Sequence, residues 1–305
     1  MTDVLLYAAT VVLWGTSWLG IKFQLGVVAP EVSIVYRSAL ASVLIAVWCV
    51  VARRGLRFRA GEHAAIALQG LLLFSANYVL IYLATQYLAS GLVAVVFSLV
   101  AVLNMAGAAI LFGTRIGVRA IMGAALGISG LTLVFWPEIR AFDLDREGSL
   151  GLALALVGTA TASAGMLTSA ANQRHGLAVA PTNALGMAYG TAFVTLYVLA
   201  AGRPWSFDPS PVYVVSLAYL AVGASALGFA CYLTLVGRIG AGPAGYATVL
   251  FPVVALALST LVEGFHWTAP AGAGVVMVLV GNALVLSPAR SRFGNGAGSA
   301  GGVAS

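Results

Sequence analysis

Apolar residues run through this chain in blocks of about twenty, separated by short breaks that pair Pro or Gly with charge. The blocks cover residues 4–25, 33–52, 64–86, 90–112, 119–137, 150–172, 182–202, 212–236, 244–264 and 269–287. The breaks include Ala29-Pro30-Glu31, Arg53-Arg54-Gly55, Gly113-Thr114-Arg115, Arg203-Pro204, Gly237-Arg238 and Thr268-Ala269-Pro270, which carry the residues that end helices and form turns. A helix needs about 20 apolar residues to cross the roughly 30 Å bilayer core. No water is present there to satisfy a backbone donor, so such spans must be helical. The pattern predicts an all-α polytopic membrane protein with ten transmembrane helices. The first block has no Lys or Arg before it and is long enough to span, unlike a signal peptide with its basic start and short apolar core. It is expected to be a retained helix.

The pattern is also written twice. At a fixed offset of 151 residues Pro30 meets Pro181, Gly91 meets Gly242, Leu99 meets Leu250, Gly113 meets Gly264, Gly123 meets Gly274 and Gly130 meets Gly281. Each copy holds five spans, an odd number, so the second copy enters the membrane with the opposite orientation. Inverted halves around a central site are an architecture of secondary transporters that alternate access between two sides. The expected division is residues 1–137 as the first five-helix repeat, 138–149 as an extracytoplasmic connection, 150–288 as the second repeat and 289–305 as a flexible Gly-rich tail.

Composition agrees and sets the orientation. The 305 residues are 61% hydrophobic and 8% charged, against about 25% charged in soluble domains. A net charge of +6 would suit nucleic acid if aromatic residues were interleaved with basic clusters, but the basic residues sit at span ends, so no nucleic-acid partner is expected. With both termini cytoplasmic, the inner segments hold Arg53, Arg54, Arg57, Arg59, Arg115, Arg119, Arg174, Arg238, Arg290 and Arg292, and the outer ones hold Arg140, Arg146 and Arg203. Ten against three follows the positive-inside rule. Cys49 and Cys231 lie in apolar stretches without metal-ligand spacing, so no disulfide framework, metal or cofactor is expected.

The embedded polar residues narrow the chemistry. No Asp or Glu lies in the middle of a span, and His63, His175 and His266 all sit at span ends. A proton-coupled carrier of cations needs an embedded carboxylate, so the expected substrates are neutral or zwitterionic and the flux facilitated or weakly coupled. An enzyme is not expected. Gly15-Thr16-Ser17-Trp18 and Gly223-Ala224-Ser225-Ala226 fall short of G-x-S-x-G, and no His lies deep enough to activate a serine.

What remains is a set of aromatic, hydroxyl and amide groups near mid-span. Trp14 and Trp18 are i and i+4 on the first helix beside Thr16 and Ser17. Ser75, Tyr78 and Tyr82 share a face of the third at i, i+3 and i+7, with Asn77 adjoining. Ser98 and Asn104 lie in the fourth, Thr161 and Ser163 in the sixth, Ser225, Phe229 and Tyr232 in the eighth, and Tyr246 and Thr248 in the ninth. Aromatic walls with a few placed polar groups suit an amino-acid-sized ligand. The candidate binding residues are Trp14, Ser17, Trp18, Arg37, Asn77, Tyr78, Tyr82, Asn104, Ser163, Tyr232 and Tyr246. Against this stand interfacial anchoring of Trp and Tyr and back-bonding of Ser and Thr to their own helix. Lys22 and Arg37 are the basic residues inside spans. Both can snorkel outward, Lys22 can pair with Glu31, and the deeper Arg37 can instead bind a carboxylate. Pro252 in the ninth helix is either a gate hinge or a fixed kink. Gly123–Gly127 and Gly186–Gly190 are expected to permit close helix packing, with a monomer as the main expectation and dimerisation through Gly123–Gly127 as the alternative.

Several of these stretches resemble one family. Gly70 to Tyr78 (GLLLFSANY), continuing through Tyr82, Ala84 and Gln86 to Gly91, is similar to the EamA family of the drug/metabolite transporter superfamily. So are Leu13-Trp14-Gly15-Thr16-Ser17-Trp18, Tyr36-Arg37-Ser38-Ala39-Leu40 and the glycine spacing from Gly123 to Val134. The resemblance covers residues 4 to 288. Members usually carry Pro in the fourth span and Gly-Glu-Arg after it, where this chain has Phe97-Ser98-Leu99-Val100 and Gly113-Thr114-Arg115. The second half keeps Phe251-Pro252 and Glu263-Gly264. The departure puts a hinge in the fourth span in question and leaves one in the ninth. The resemblance implies export of small metabolites across a bacterial-type inner membrane, amino acids first and the aromatic amino acid exporter-like branch within them. Helices one to four and six to nine would form the conduit, with five and ten peripheral. An exporter of drugs or other amphiphilic solutes is the alternative. A membrane scaffold or lipid-modifying enzyme is a further one, and the enzyme would need a clustered His/Asp/Glu site.

Overall fold

Helix starts along this chain are marked by proline and by carboxylates. The computed structural model describes residues 2–134, 136, 146–239 and 247–286. In the first half α1 is Thr2–Lys22, α2 Pro30–Val51, α3 Ala60–Tyr87, α4 Ser90–Phe112 and α5 Val118–Val134. In the second, α6 is Arg146–Arg174 and α7 Val179–Ala200. Helix α8 runs through Pro211–Ala218, Tyr219–Leu227 and Gly228–Ile239, α9 is Ala247–Val262 and α10 Ala269–Leu286. Pro30 and Pro211 occupy first turns, where a missing N–H costs nothing. The Glu62 carboxylate accepts from the Arg59 N–H at 2.6 Å, and Glu263 accepts from the Ser90 N–H and hydroxyl, capping α4 from the end of α9. Gly113 and Gly264, one repeat apart, end α4 and α9 with φ of 66° and 69°, a conformation that favours glycine.

All ten expected spans are helical over their described residues, which contain no strand. Seven helices are long and apolar enough to cross a membrane, and Val118–Val134, Leu250–Val262 and Ala269–Leu284 are shorter apolar stretches. Residues 137–145, Gly242, Tyr246 and the tail from residue 287 lie outside the described residues.

The halves interlock. Helix α2 packs on α7, α4 on α9 and α5 on α10, each helix against its own repeat counterpart. The other main contacts occur in exchanged pairs: α1 with α8 and α3 with α6, α1 with α9 and α4 with α6, α2 with α8 and α3 with α7. Swapping the halves returns the same set, which is the contact pattern of a two-fold axis between inverted repeats. The α5–α10 seam obeys it closely. A Cβ on Gly130 would lie 2.6 Å from the Gly274 carbonyl oxygen, and one on Gly281 would lie 2.5 Å from that of Gly123. The Gly123–Gly127 face is therefore filled by α10 of the same chain. Gly190 meets Phe74 and Gly70 of α3 in the same manner.

Two departures from regular helix lie at equivalent places. Residues Gly70–Ala76 of α3 and Tyr219–Leu227 of α8 are π-helical. The Asn77 N–H reaches the Leu72 carbonyl and the Gly228 N–H reaches that of Gly223, an i to i+5 step repeated at the 151-residue offset. The fourth span is irregular although it carries no proline. Helix α4 is interrupted at Ser98-Leu99, whereas α9 continues through Pro252. At the break the Ser98 hydroxyl donates to the Val95 carbonyl at 2.6 Å, competing with the backbone ladder, and the Leu99 N–H tightens onto Val96.

Candidate functional site

Where the π segments of α3 and α8 face α1, α2, α4 and α9, a cavity of about 140 Å³ lies between the halves. Trp14, Ser17 and Trp18 come from α1, Arg37 from α2, and Phe74, Asn77, Tyr78 and Tyr82 from α3. Phe97 and Val100 flank the α4 break, and Met166, Ala224, Phe229, Thr248 and Phe251 complete the second-half wall. Ring contacts hold the wall together. Trp18 lies 5.2 Å from Phe97 and 5.8 Å from Phe251, Trp14 lies 5.5 Å from Phe229, and Phe74 lies 6.0 Å from Tyr78. These separations match edge and stacked aromatic packing.

The polar groups are committed unevenly. The Trp14 indole N–H donates across the halves to the Ala224 carbonyl at 3.1 Å, within the π segment of α8. The Ser17 hydroxyl donates back to Trp14 at 2.7 Å, and the Asn77 amide ties α3 to the Gly158 carbonyl at 2.8 Å. Arg37 is 6% exposed and points into the cavity. Its Nε donates to Ser225 Oγ at 3.3 Å and its Nη1 to Tyr82 Oη at 3.4 Å, while its guanidinium sits 4.6 Å above the centre of the Tyr78 ring. Tyr82 in turn donates to Gln24 Oε1 at 3.2 Å. Arg37 thus does not snorkel outward. Lys22 does not pair with Glu31 either: its ammonium donates to the Thr85 carbonyl at 3.0 Å, and Glu31 faces Arg203 at 3.8 Å.

Seven of the sequence candidates meet at this wall: Trp14, Ser17, Trp18, Arg37, Asn77, Tyr78 and Tyr82. Asn104 and Ser163 bond each other at 2.7 Å, and the Asn104 amide reaches Met166 Sδ at 3.4 Å, tying α4 to α6 beside the cavity. Tyr232 stands behind Trp14, ring centres 4.9 Å apart. Tyr246 is outside the described residues. Ser75 is buried but Phe74 takes its expected place on the wall, because the π turn adds a residue between the two α-helical parts of α3. Phe97, Phe251 and Met166 were not singled out. Phe74 was missed as well, and its four-residue steps to Tyr78 and Tyr82 were the available signal.

A second, larger cavity of about 580 Å³ opens between α2, α7 and α8, with Trp48, Val179 and Leu227 on its apolar wall and Arg54 and Asn183 at the arginine-rich end. Trp48 and Leu227 are half exposed, so the cavity opens on the outer face of the bundle. Phe229 borders both cavities. Nearby, Gln69 donates to Asn183 at 2.9 Å and accepts from Asn172 at 3.0 Å, a buried amide network that sequence reading missed.

The profile of the EamA-like transporter family matches residues 1–136 and 149–287, one segment for each half of this fold. The chain belongs to the EamA-like transporter family. The chain is 20% identical over 282 residues to Protein PagO of Salmonella typhimurium (strain LT2), covering 92% of each chain. It is 21% identical over 261 residues to an uncharacterized transporter in the trpA 3' region of Buchnera aphidicola subsp. Schlechtendalia chinensis, covering 86% of this chain and 85% of that one. A solved crystal structure superposes with a TM-score of 0.67 at 15% identity, covering 93% of this chain and 96% of the other, which supports the fold. Family membership makes this a multi-pass membrane transporter of small molecules.

Proposed function

We propose that this transporter exports amino acids or similar small carboxylate-bearing metabolites by alternating access, from a bacterial-type inner membrane with both termini cytoplasmic. The observation that carries the reading is the central cavity, walled by aromatic rings from both halves, with Arg37 as the charged side chain in its lining. A guanidinium fork matches a carboxylate, and a volume of about 140 Å³ is below the roughly 300–1,000 Å³ typical of drug-sized sites. Residues 1–137 and 150–288 supply the two repeats, one four-helix layer rocks against another around the cavity with Pro252 as a hinge in α9, and the chain works as a monomer. Asn104, Ser163 and Tyr232 support the cavity wall from behind.

Proteoliposomes offered a labelled amino-acid panel test this. Saturable flux is expected for at least one neutral amino acid, with Arg37→Gln abolishing saturation. A pH gradient alone should drive no accumulation. Flat signals across the panel from folded protein would overturn the reading. The apolar cavity between α2, α7 and α8 favours a second reading, export of amphiphilic solutes entering beside Phe229, which the same liposomes test with a hydrophobic dye.

A further inference from the structure

We infer that the central cavity selects its ligand by net charge and takes a monoanion, an organic acid with an apolar or aromatic body, ahead of the zwitterion built on the same skeleton. The inference rests on the cavity being the substrate site and goes beyond it in naming the charge the substrate carries.

Arg37 is the starting point. Both of its hydrogen-bond partners are neutral hydroxyls, Ser225 at 3.3 Å and Tyr82 at 3.4 Å, and both bonds are long for a charged donor. Its Nη2 makes no hydrogen bond to the described residues. A buried cation without an anionic partner is costly, and the cost is relieved by an ion of opposite sign. Among the described residues no carboxylate supplies that ion to the cavity. Glu31 faces Arg203, Glu263 caps Ser90, Glu62 caps Arg59 and Asp3 faces Arg238.

A ligand carboxylate fits this vacancy of charge, since the guanidinium fork can donate to both of its oxygens. An α-ammonium group does not. In an amino acid it sits one carbon from the carboxylate, so binding brings it close to the guanidinium. It would then be left with hydroxyl, amide and ring groups, and no acid, as partners. Replacing that ammonium by hydrogen removes a like-charge contact and a desolvation cost while leaving the carboxylate and the apolar body in place. The aromatic wall accepts the body in either case.

Calorimetric binding to the full-length protein in nanodiscs decides the matter, using 3-phenylpropanoate, phenylalanine, 2-phenylethylamine and neutral 3-phenylpropanamide. The acid should bind about ten-fold or more tightly than phenylalanine, the scale expected of one lost charge conflict, and the amine should be the weakest of the four. Arg37→Gln should remove the advantage of the acid over the amide, and Arg37→Lys should keep part of that advantage. Phenylalanine binding as tightly as the acid, or an acid preference that survives in Arg37→Gln, would overturn charge selection alone. Absence of binding by all four to folded protein would overturn the cavity as a substrate site, and this inference with it.

Discussion

At the scale of single residues, the contrast between polar and apolar positions decided what could be read in advance. Trp14, Trp18, Tyr78 and Tyr82 announce a face because aromatic or hydroxyl groups recur at helical spacing in an aliphatic chain, and all four line the cavity. Phe74, Phe97, Phe251 and Met166 line it equally but have no contrast with their neighbours. Asn104 and Ser163 show the converse, polar groups that satisfy each other at 2.7 Å. The role of Glu263 was equally hidden, because its partner Ser90 lies 173 residues away. Glu263→Ala removes the acceptor for the first turn of α4 and the negative charge at its N-terminus. Thermal unfolding in detergent should show a loss of about 1–2 kcal/mol, the size of a lost helix cap, with Glu263→Gln in between. An Ala variant as stable as the parent would refute the capping role.

At the scale of elements, all ten helices were legible from runs of apolar residues and the Pro and Gly between them, with limits differing by a few residues. Irregularities inside the helices were not. The π segments at Gly70–Ala76 and Tyr219–Leu227 carry no proline and leave no mark in hydropathy. The α4 break likewise carries no proline, and a serine hydroxyl bonds backwards there. Seams between elements allow a sharper test, because the glycines of α5 are not equivalent. A Cβ on Gly127 would meet Leu99 Cδ2 at an ordinary 3.7 Å, whereas one on Gly130 would meet the backbone of α10 at 2.6 Å. Gly127→Ala should therefore leave stability unchanged or raise it by up to about 1 kcal/mol through helix propensity. Gly130→Ala should cost about 1–3 kcal/mol as an overpacked contact. Equal unfolding midpoints for the two variants would contradict the seam.

At the scale of the molecule, the 151-residue offset showed that there were two halves, and an odd span count showed that they are inverted. It did not show that helices pair across the halves in exchangeable sets, since a repeat specifies copies and leaves their docking open. The halves are also unequal where it matters. Arg37 has Ala188 as its counterpart, and the amide network of Gln69, Asn172 and Asn183 has the buried apolar set Leu220, Ile21 and Val32. The unmatched Arg37 has an electrical consequence. On the proposed reading, a cavity that is cationic when empty and neutral when carrying a monoanion moves one net negative charge per cycle, and transmembrane voltage alone would power export. An interior-negative potential of 100 mV contributes about 2.3 kcal/mol per charge, a roughly forty- to fifty-fold concentration ratio. Proteoliposomes loaded with 3-phenylpropanoate and given a potassium diffusion potential should release it faster when the interior is negative, and phenylalanine release should be indifferent to that potential. Voltage-independent release of the acid would mean that another ion travels with it.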